Sequence, residues 1–227
     1  MDSEKFWRRR LRPAISHALL SSLAVVAGAS AQEPGEKADD ATGLAALEAF
    51  LDDVHSLTAE FEQEIWTADQ RLLQTETGTL ALARPNRFRW TYREPTELTV
   101  VADGKKLWIY DVELEQVTVA PFDDTLATSP AMLLSGDRSV REGFTVAQSY
   151  PLEGLDWIKL TPKAGGADFT SVLIGFDGTA PKRLELVDGL NHVTRITLDN
   201  LVVNPELDDA TFELEVPEGV DISGGEG

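Results

Sequence analysis

The side chains that could perform hydrolysis are few in this 227-residue sequence. Beyond residue 31 the chain has two histidines, His55 and His192, no cysteine, and no Gly-x-Ser-x-Gly motif that would present a serine nucleophile. His55 lies among acidic residues of a predicted helix and His192 adjoins a predicted turn, so we expect both imidazoles to face solvent. These observations disfavour a hydrolase, and we predict that the protein is not an enzyme.

Adjacent carboxylates remain as candidates for acid–base chemistry or for binding calcium. Neighbouring residues project in different directions, and doublets arise by chance in a chain with 39 acidic residues. We therefore expect solvated surface positions, and we predict neither a metal site nor a cofactor. The doublets are Asp52-Asp53, Asp123-Asp124 and Asp208-Asp209.

The N-terminus has the three regions of a secretory signal peptide. Basic residues precede an apolar stretch at 14–27, and the small residues Ala29-Ser30-Ala31 follow it. The stretch is short and interrupted by serines, whereas a membrane-spanning helix needs about 20 apolar residues. We predict export with cleavage after Ala31, a flexible lead at 32–43, one domain at 44–222 and a flexible tail at 223–227.

The predicted mature chain is strongly acidic. Removal of the signal peptide takes away five of the 20 basic and two of the 39 acidic side chains, so the net charge falls to about −22. Such a surface repels nucleic-acid phosphates and anionic lipid headgroups, which excludes both as primary partners. The absence of cysteine excludes disulfides and lipid attachment through an N-terminal cysteine. We expect a soluble monomer.

Hydrophobic periodicity predicts one helix followed by a large sheet. From Leu44 to Leu57 apolar residues recur at intervals of three and four opposite acidic ones, which is typical of an amphipathic helix. Phe61, Gln63 and Ile65 then alternate with glutamates, the period-two pattern of a half-buried strand. Similar alternation recurs at 80–82, 88–92, 107–110, 116–119, 156–160, 170–176, 183–187 and 193–198.

Turn signals between these runs predict an antiparallel meander. Three Asp-Gly pairs, Asp103-Gly104, Asp177-Gly178 and Asp188-Gly189, tolerate the positive φ of tight hairpin turns. The segment 129–134 breaks the strand pattern and predicts a short second helix that ends at Gly136, because a serine and a proline precede an apolar run. Two helices give a thin cover for the apolar face of a large sheet, which suggests a cavity beneath a lid.

The central part of the chain resembles the LolA family of outer-membrane lipoprotein carriers. The resemblance rests on residues 84–90, 101–111 and 114–116, and on 61–63, 129–134, 160–163 and 212–220, which follow in the family's order. It implies a mainly β, α+β fold, in which a single antiparallel, incompletely closed β-barrel has an apolar concave face covered by a helical lid. It also implies a periplasmic chaperone that holds the acyl chains of lipoproteins.

The same resemblance implies partners. An inner-membrane ABC-type transporter would load the carrier with acylated lipoproteins, and an outer-membrane lipoprotein acceptor would receive them. The family's structural relative LolB is itself lipid-anchored, and the absence of a cysteine favours the soluble carrier. The alternative is a general hydrophobic-ligand or lipoprotein-sensing domain on the same fold.

Arg84 is the first candidate site residue. It shares strand parity with Leu80 and Leu82, so in a regular strand its guanidinium would point toward the apolar face and would require hydrogen-bond partners. The resemblance implies that this arginine bonds to the lid backbone and holds the empty cavity shut. Snorkelling of the side chain from a strand end is the alternative. Under the first hypothesis an Arg84→Leu variant folds and takes up cargo but does not hand it on.

The other candidates are apolar residues that would line the cavity or the underside of the lid. The resemblance implies that Phe88 contacts the ligand and takes part in its release. Ordinary core packing is the alternative for every member of this group. The group comprises Leu80, Leu82, Phe88 and Trp90 on the sheet, and Phe50, Leu51, Val54, Leu133 and Leu134 in the lid.

Overall fold

Twelve strands, two short α-helices and one 3-10 helix are the regular elements of the described residues. The computed structural model describes residues 42–122, 130–135, 142–163 and 169–224, and the predicted signal peptide lies outside them. The elements are α1 Thr42–Asp53, β1 Ser56–Trp66, β2 Leu72–Ala83, β3 Arg87–Glu94, β4 Leu98–Asp103, β5 Lys106–Asp111, β6 Gln116–Pro121, α2 Pro130–Ser135, β7 Phe144–Leu152, β8 Leu155–Pro162, β9 Phe169–Asp177, β10 Ala180–Asp188, β11 Val193–Val203, a 3-10 helix Asp209–Phe212 and β12 Asp221–Gly224.

The strands form one sheet in the order β12-β6-β5-β4-β3-β2-β1-β11-β10-β9-β8-β7. Neighbours are antiparallel except β12, which runs parallel to β6. Among the described residues β7 pairs with β8 alone, so the sheet curls without closing. The predicted antiparallel, incompletely closed barrel is confirmed, with a parallel last strand as the exception. Ser223 and Gly224 belong to that strand, because they pair with Thr118 and Val119, so the predicted flexible tail begins too early.

The sheet turns an apolar face inward. In β1 the buried positions are Leu57, Ala59, Phe61, Gln63 and Ile65, in the predicted alternation. Inward side chains from both halves of the sheet join α1 and α2 in a single apolar core. The alternating strands were predicted because one of their faces meets this core and the other faces outward.

Three strands were not predicted from a period-two pattern: β4, β7 and the short β12, which is mostly exposed. All but the last residue of β4 is buried, since its inner face meets the core and the 3-10 helix packs on its outer side. Most of β7 is exposed, because it lies at the edge of the sheet. The hydrophobic alternation is absent from β4 because both of its faces are buried, and from β7 because most of its residues on both faces are exposed.

Helix α1 begins at Thr42, two residues before the predicted Leu44. Its first turn lies against β7 and β8, where the Gly43 N–H donates to Ser149 Oγ at 2.9 Å. A Cβ at residue 43 would lie 2.3 Å from the Trp157 carbonyl oxygen, so only glycine permits this approach. The predicted flexible lead at 32–43 therefore extends two residues too far into the domain.

Helix α1 ends at Asp53, earlier than the apolar pattern suggested. The Asn204 side chain donates to the Asp53 carbonyl at 2.9 Å and accepts from the His55 N–H at 2.7 Å. Val54 and His55 are consequently not helical, and Leu57 belongs to β1. Leu57 lies three residues after Val54 and so fitted the helical pattern by coincidence. It is buried because the start of β1 faces the same core as α1.

Helix α2 lies where the sequence predicted it. Leu133 and Leu134 are 2% and 0% exposed. The predicted capping Ser129 and the predicted end at Gly136 lie outside the described residues. Helix α2 packs on β2 and β3, and α1 packs on β7, β8 and β9. The two helices therefore cover different parts of the inner face.

The three Asp-Gly turns occur at hairpins, but only two use the glycine as predicted. Gly104 and Gly178 have φ of +90° and +59°. In the third turn the positive φ, +61°, belongs to Asn191. The Asp188 carboxylate accepts N–H bonds from Leu190 and His192 at 2.8 Å each, which closes this longer turn without a left-handed Gly189.

Candidate functional site

The Arg84 guanidinium lies at the meeting point of both helices and the sheet. Arg84 occupies the turn after β2 and is only partly buried. Its Nη1 donates to the carbonyl oxygens of Phe50 and Val54 at 2.8 Å and of Leu51 at 3.0 Å. Its Nη2 donates to the Leu134 carbonyl oxygen at 3.0 Å. One side chain thus holds the C-terminal ends of α1 and α2 together.

The chemistry of helix ends explains this arrangement. The last carbonyls of a helix have no partner within the helix and carry partial negative charge, so a cation with several donors suits them. The guanidinium also lies 4.4 Å from the centroid of the Phe50 ring, within cation–π range. The Arg84 backbone N–H donates to the His55 carbonyl oxygen at 2.8 Å, which fixes the turn beside the end of α1. The side chain does not snorkel into solvent.

The nine apolar candidates meet in one buried core. Phe88 and Trp90 of β3 are 1% and 2% exposed, and Leu80 and Leu82 of the neighbouring β2 are 2% and 0% exposed. The lid contributes Phe50, Leu51, Val54, Leu133 and Leu134 to the same core. The concave face is therefore filled with the protein's own side chains.

Aromatic rings form the middle of this face. The Phe61 centroid lies 4.7 Å from that of Trp90 and 5.2 Å from that of Tyr92, the second pair edge-to-face. In the lid, Phe50 lies 5.7 Å from Phe176 of β9. Phe50 therefore joins the Arg84 contact to the opposite wall of the barrel.

A buried polar layer interrupts the inward apolar rows of β1 and β2, and sequence reasoning did not identify it. Glu76 of β2 is 3% exposed and lies directly opposite Gln63 of β1. Gln63 Nε2 donates to Glu76 Oε2 at 2.5 Å, and Gln74 Nε2 donates to Glu76 Oε1 at 2.8 Å. The available signal was the parity of Glu76, which is that of Leu80 and Leu82 and therefore inward.

The outer face of β3 carries the C-terminal segment. Arg89 Nη1 donates to the carbonyl oxygens of Glu213 at 3.1 Å and Thr211 at 3.4 Å. Arg87 pairs with Asp209 at 2.5 Å, and its guanidinium lies 5.2 Å from the Phe212 ring centroid. These two arginines therefore hold the 3-10 helix against the barrel.

The residues considered for catalysis are not assembled into a site. His55 is exposed, as predicted, but the His192 side chain is 15% exposed and its Nδ1 lies 3.1 Å from Asp188 Oδ2, so it does not face solvent freely. The described part of the chain has no group of three or more His, Cys, Asp or Glu residues that could hold a metal ion. The Asp52-Asp53 and Asp208-Asp209 doublets are exposed, and Asp123-Asp124 lies outside the described residues.

One carboxylate is ionised more readily than usual for a structural reason. Burial opposes the charge of Asp103, but N–H donors outweigh it and hold its pKa below the ordinary value. The backbone N–H groups of Lys106 and Lys105 donate to Oδ1 at 2.7 and 2.8 Å, and the Trp108 indole donates to Oδ2 at 3.2 Å. Asp103 thus fixes the β4–β5 hairpin.

Comparison with known proteins gives the family. The family described as "Outer membrane lipoprotein carrier protein LolA" matches residues 52–215. The chain belongs to the LolA family. An outer-membrane lipoprotein carrier protein of Halorhodospira halophila is 40% identical over 182 residues, 79% of this chain and 84% of that protein. Its counterpart from Dechloromonas aromatica is 39% identical over 178 residues, 78% of this chain and 86% of that protein.

The resemblance drawn from the central motifs is therefore confirmed. A solved structure of an uncharacterized conserved protein from Thermus thermophilus aligns with this LolA-family chain at a TM-score of 0.50 and 13% identity, covering 80% of this chain and 96% of that one. At that identity the likeness concerns the fold. Within the described ranges, no helix is long and apolar enough to cross a membrane.

Proposed function

We propose that this chain is a periplasmic carrier that binds the acyl chains of lipoproteins between its concave sheet and its two helices. It receives them from an inner-membrane ABC-type transporter and delivers them to an outer-membrane acceptor. The carrier acts as a monomer after signal-peptide cleavage near Ala31. The curated relatives, named outer-membrane lipoprotein carrier proteins, support the cargo class.

The observation that carries the proposal is the set of four bonds from the Arg84 guanidinium to lid carbonyls above an apolar core. A lid held by backbone carbonyls can open without leaving buried polar groups unpaired, because water solvates both the carbonyls and the guanidinium once they separate. Apolar side chains of the lid and the sheet then part, and acyl chains replace the lost contacts. Arg84 is accordingly the latch of the empty, closed form.

Phe88 and Trp90 contribute the ligand surface on the sheet. Both lie on the inner face of β3, next to the strand whose end carries Arg84. An acyl chain that enters beneath the raised lid would contact these rings first by dispersion and hydrophobic burial. Closing of the latch at delivery restores the ring contacts with the lid and so favours release.

The proposal is tested by release of a lipoprotein from membranes. Spheroplasts that synthesise an acylated lipoprotein are incubated with the purified chain without its signal peptide, and the soluble fraction is analysed for a one-to-one complex. We expect soluble complex to increase with carrier concentration. A non-acylated version of the same lipoprotein serves as the control for protein–protein binding. Cargo that stays in the membrane at every concentration would contradict the carrier function and favour a sensing domain.

A further inference from the structure

The inner face of β2 changes from apolar to polar at a defined depth. Its inward positions, counted away from Arg84, are Leu82, Leu80, Gly78 and then Glu76. Leu82 and Leu80 belong to the apolar core, whereas Glu76 belongs to the polar layer with Gln63 and Gln74. The wall that begins beneath the lid therefore ends in a carboxyl group.

The depth of this wall follows from strand geometry. Six residues separate Leu82 from Glu76, about 20 Å along the strand. Strands of closed barrels tilt by about 40° from the barrel axis, and a similar tilt here reduces the depth to about 15 Å. The hydrocarbon core of a bilayer is about 30 Å thick, so the acyl chains of one leaflet span about 15 Å. The apolar wall and a membrane acyl chain thus have matching lengths.

The polar layer opposes deeper insertion of an acyl chain. Glu76 retains its amide donors only while Gln63 and Gln74 stay in place, and a methyl group pushed into the layer would separate these partners without replacing their bonds. Loss of partners by a buried carboxyl group or amide is strongly unfavourable. An acyl chain that follows β2 therefore gains burial up to Glu76, where the inward row of that strand becomes polar.

We propose that Glu76, held by Gln63 and Gln74, is a specificity-determining residue that sets the length of acyl chain the barrel accommodates. This inference rests on the proposed function, because it concerns acyl chains bound along the same face. Each further buried methylene strengthens binding about fourfold as long as it meets apolar surface. The increase in affinity stops when the acyl chain reaches the polar layer. Acyl chains longer than this limit gain no further affinity.

The test is a chain-length series of one synthetic lipopeptide. Diacylglyceryl-cysteine peptides of identical sequence that carry lauroyl, myristoyl, palmitoyl, stearoyl or arachidoyl chains are titrated into the mature protein, and their Kd values are measured. For the unmodified protein we expect Kd to fall with length and then to level off. In Glu76→Leu the fall should continue, with at least a tenfold gain for about two methylenes beyond the original limit.

Three variants separate this effect from a structural one. Glu76→Gln keeps a polar side chain that can bond with the Gln63 amide and should keep the original length limit. Thr77→Leu adds an apolar group on the outward side of the same strand and should also keep it. Gln63→Leu combined with Glu76→Leu removes the carboxyl group together with the buried Gln63 amide, so that this amide is not left without its acceptor if the single leucine variant folds poorly.

The outcomes distinguish the inference from the function on which it rests. Failure of every lipopeptide to bind the unmodified protein would contradict the carrier function itself. Binding that strengthens through the whole series in the unmodified protein, with no levelling, would overturn the role of Glu76 while the carrier function stands. An identical limit in the unmodified protein and in the leucine variants would overturn it as well.

Discussion

Replacement of Arg84 by leucine should shift the lid toward its open form. The substitution removes four hydrogen bonds, three from Nη1 and one from Nη2, whose N···O distances to carbonyl oxygens at the ends of α1 and α2 are 2.8–3.0 Å. It also removes the cation–π contact with Phe50. In the closed form the freed carbonyls stay poorly hydrated, whereas in the open form water reaches them. The substitution therefore destabilises the closed form relative to the open form.

The size of the shift follows from these contacts. Hydrogen bonds to charged groups contribute about 1.5–3 kcal/mol each, but bonds to one guanidinium are not additive. We expect a total of about 3–5 kcal/mol, since each carbonyl group that the closed form leaves without a partner costs about 1–3 kcal/mol and these costs do not add fully. Such a change alters the ratio of open to closed molecules by roughly two to four orders of magnitude. Ligand affinity rises by up to the same factor, because less energy is needed to open the lid.

Transfer of the bound ligand to an acceptor should become slower as the affinity of the variant rises. Affinity changes within one binding site appear mainly in the dissociation rate. The Arg84→Leu variant should therefore bind a lipopeptide about 100-fold or more tightly and release it to acceptor-bearing vesicles correspondingly slowly. Arg84→Lys keeps the charge but loses the planar fork of donors, so it should lie between the unmodified protein and the leucine variant.

Spin-label distances and ligand titrations together check this prediction. The sequence contains no cysteine, so cysteines introduced at the exposed positions Glu48 of α1 and Thr75 of β2 can be labelled without background. We expect a longer distance in Arg84→Leu than in the unmodified protein. Arg89→Leu is the matched control, since it removes carbonyl contacts on the outer face and leaves the lid untouched. Unchanged distances together with an unchanged Kd in Arg84→Leu would refute the latch.

Three further substitutions, one of them with a matched control, test the packing and the electrostatics of the fold. Phe88→Ala should lower the free energy of unfolding by about 3–5 kcal/mol in urea titrations, because it empties a ring-sized volume in the core; a loss below about 1 kcal/mol would show that Phe88 does not pack as described. Gly43→Ala should cost about 1–3 kcal/mol, since its Cβ would lie 2.3 Å from the Trp157 carbonyl oxygen. Gly143→Ala, with no atom within 4 Å of the new Cβ, should be close to neutral, and equal effects at the two glycines would contradict the close approach. Asp103→Asn should lower stability by about 1 kcal/mol at pH 7. Because the folded pKa of Asp103 is lowered, this difference should shrink as the pH falls below about 4, and a difference independent of pH would rule out the charged form as its source.

Local patterns predicted those parts of the fold that depend on local physics. The inward row of β1 and the aromatic row of β3 followed from period two, because each strand has one face on the core. Helix α2 followed from a proline before an apolar run. Arg84 was identified by its parity and by the family motif, although it lies in a turn rather than within the strand.

Features that depend on distant residues could not be read in this way. Helix α1 ends at Asp53 because Asn204, 151 residues away in sequence, caps that end. It begins at Thr42 because Gly43 fits against Trp157. Strand β4 lost its alternation because the C-terminal segment covers its outer side. The polar layer depends on the register that places Glu76 opposite Gln63.

The filled interior explains how a carrier of several acyl chains can release them. A few dozen methylenes at about 0.8 kcal/mol each would contribute more than about 20 kcal/mol, which is at the practical limit of non-covalent affinity. The proposed opening would expose Phe50, Leu133 and Leu134, all at most 2% exposed in the structure, at about 1.5–3 kcal/mol each. Loss of the four Arg84 hydrogen bonds to carbonyl oxygens adds about 3–5 kcal/mol. The difference leaves roughly 10 kcal/mol for net binding, a Kd between micromolar and nanomolar. In the proposed mechanism the lid side chains compete with the cargo for the same apolar face. Variants that weaken the contacts of the lid should therefore bind cargo tightly but fail to release it.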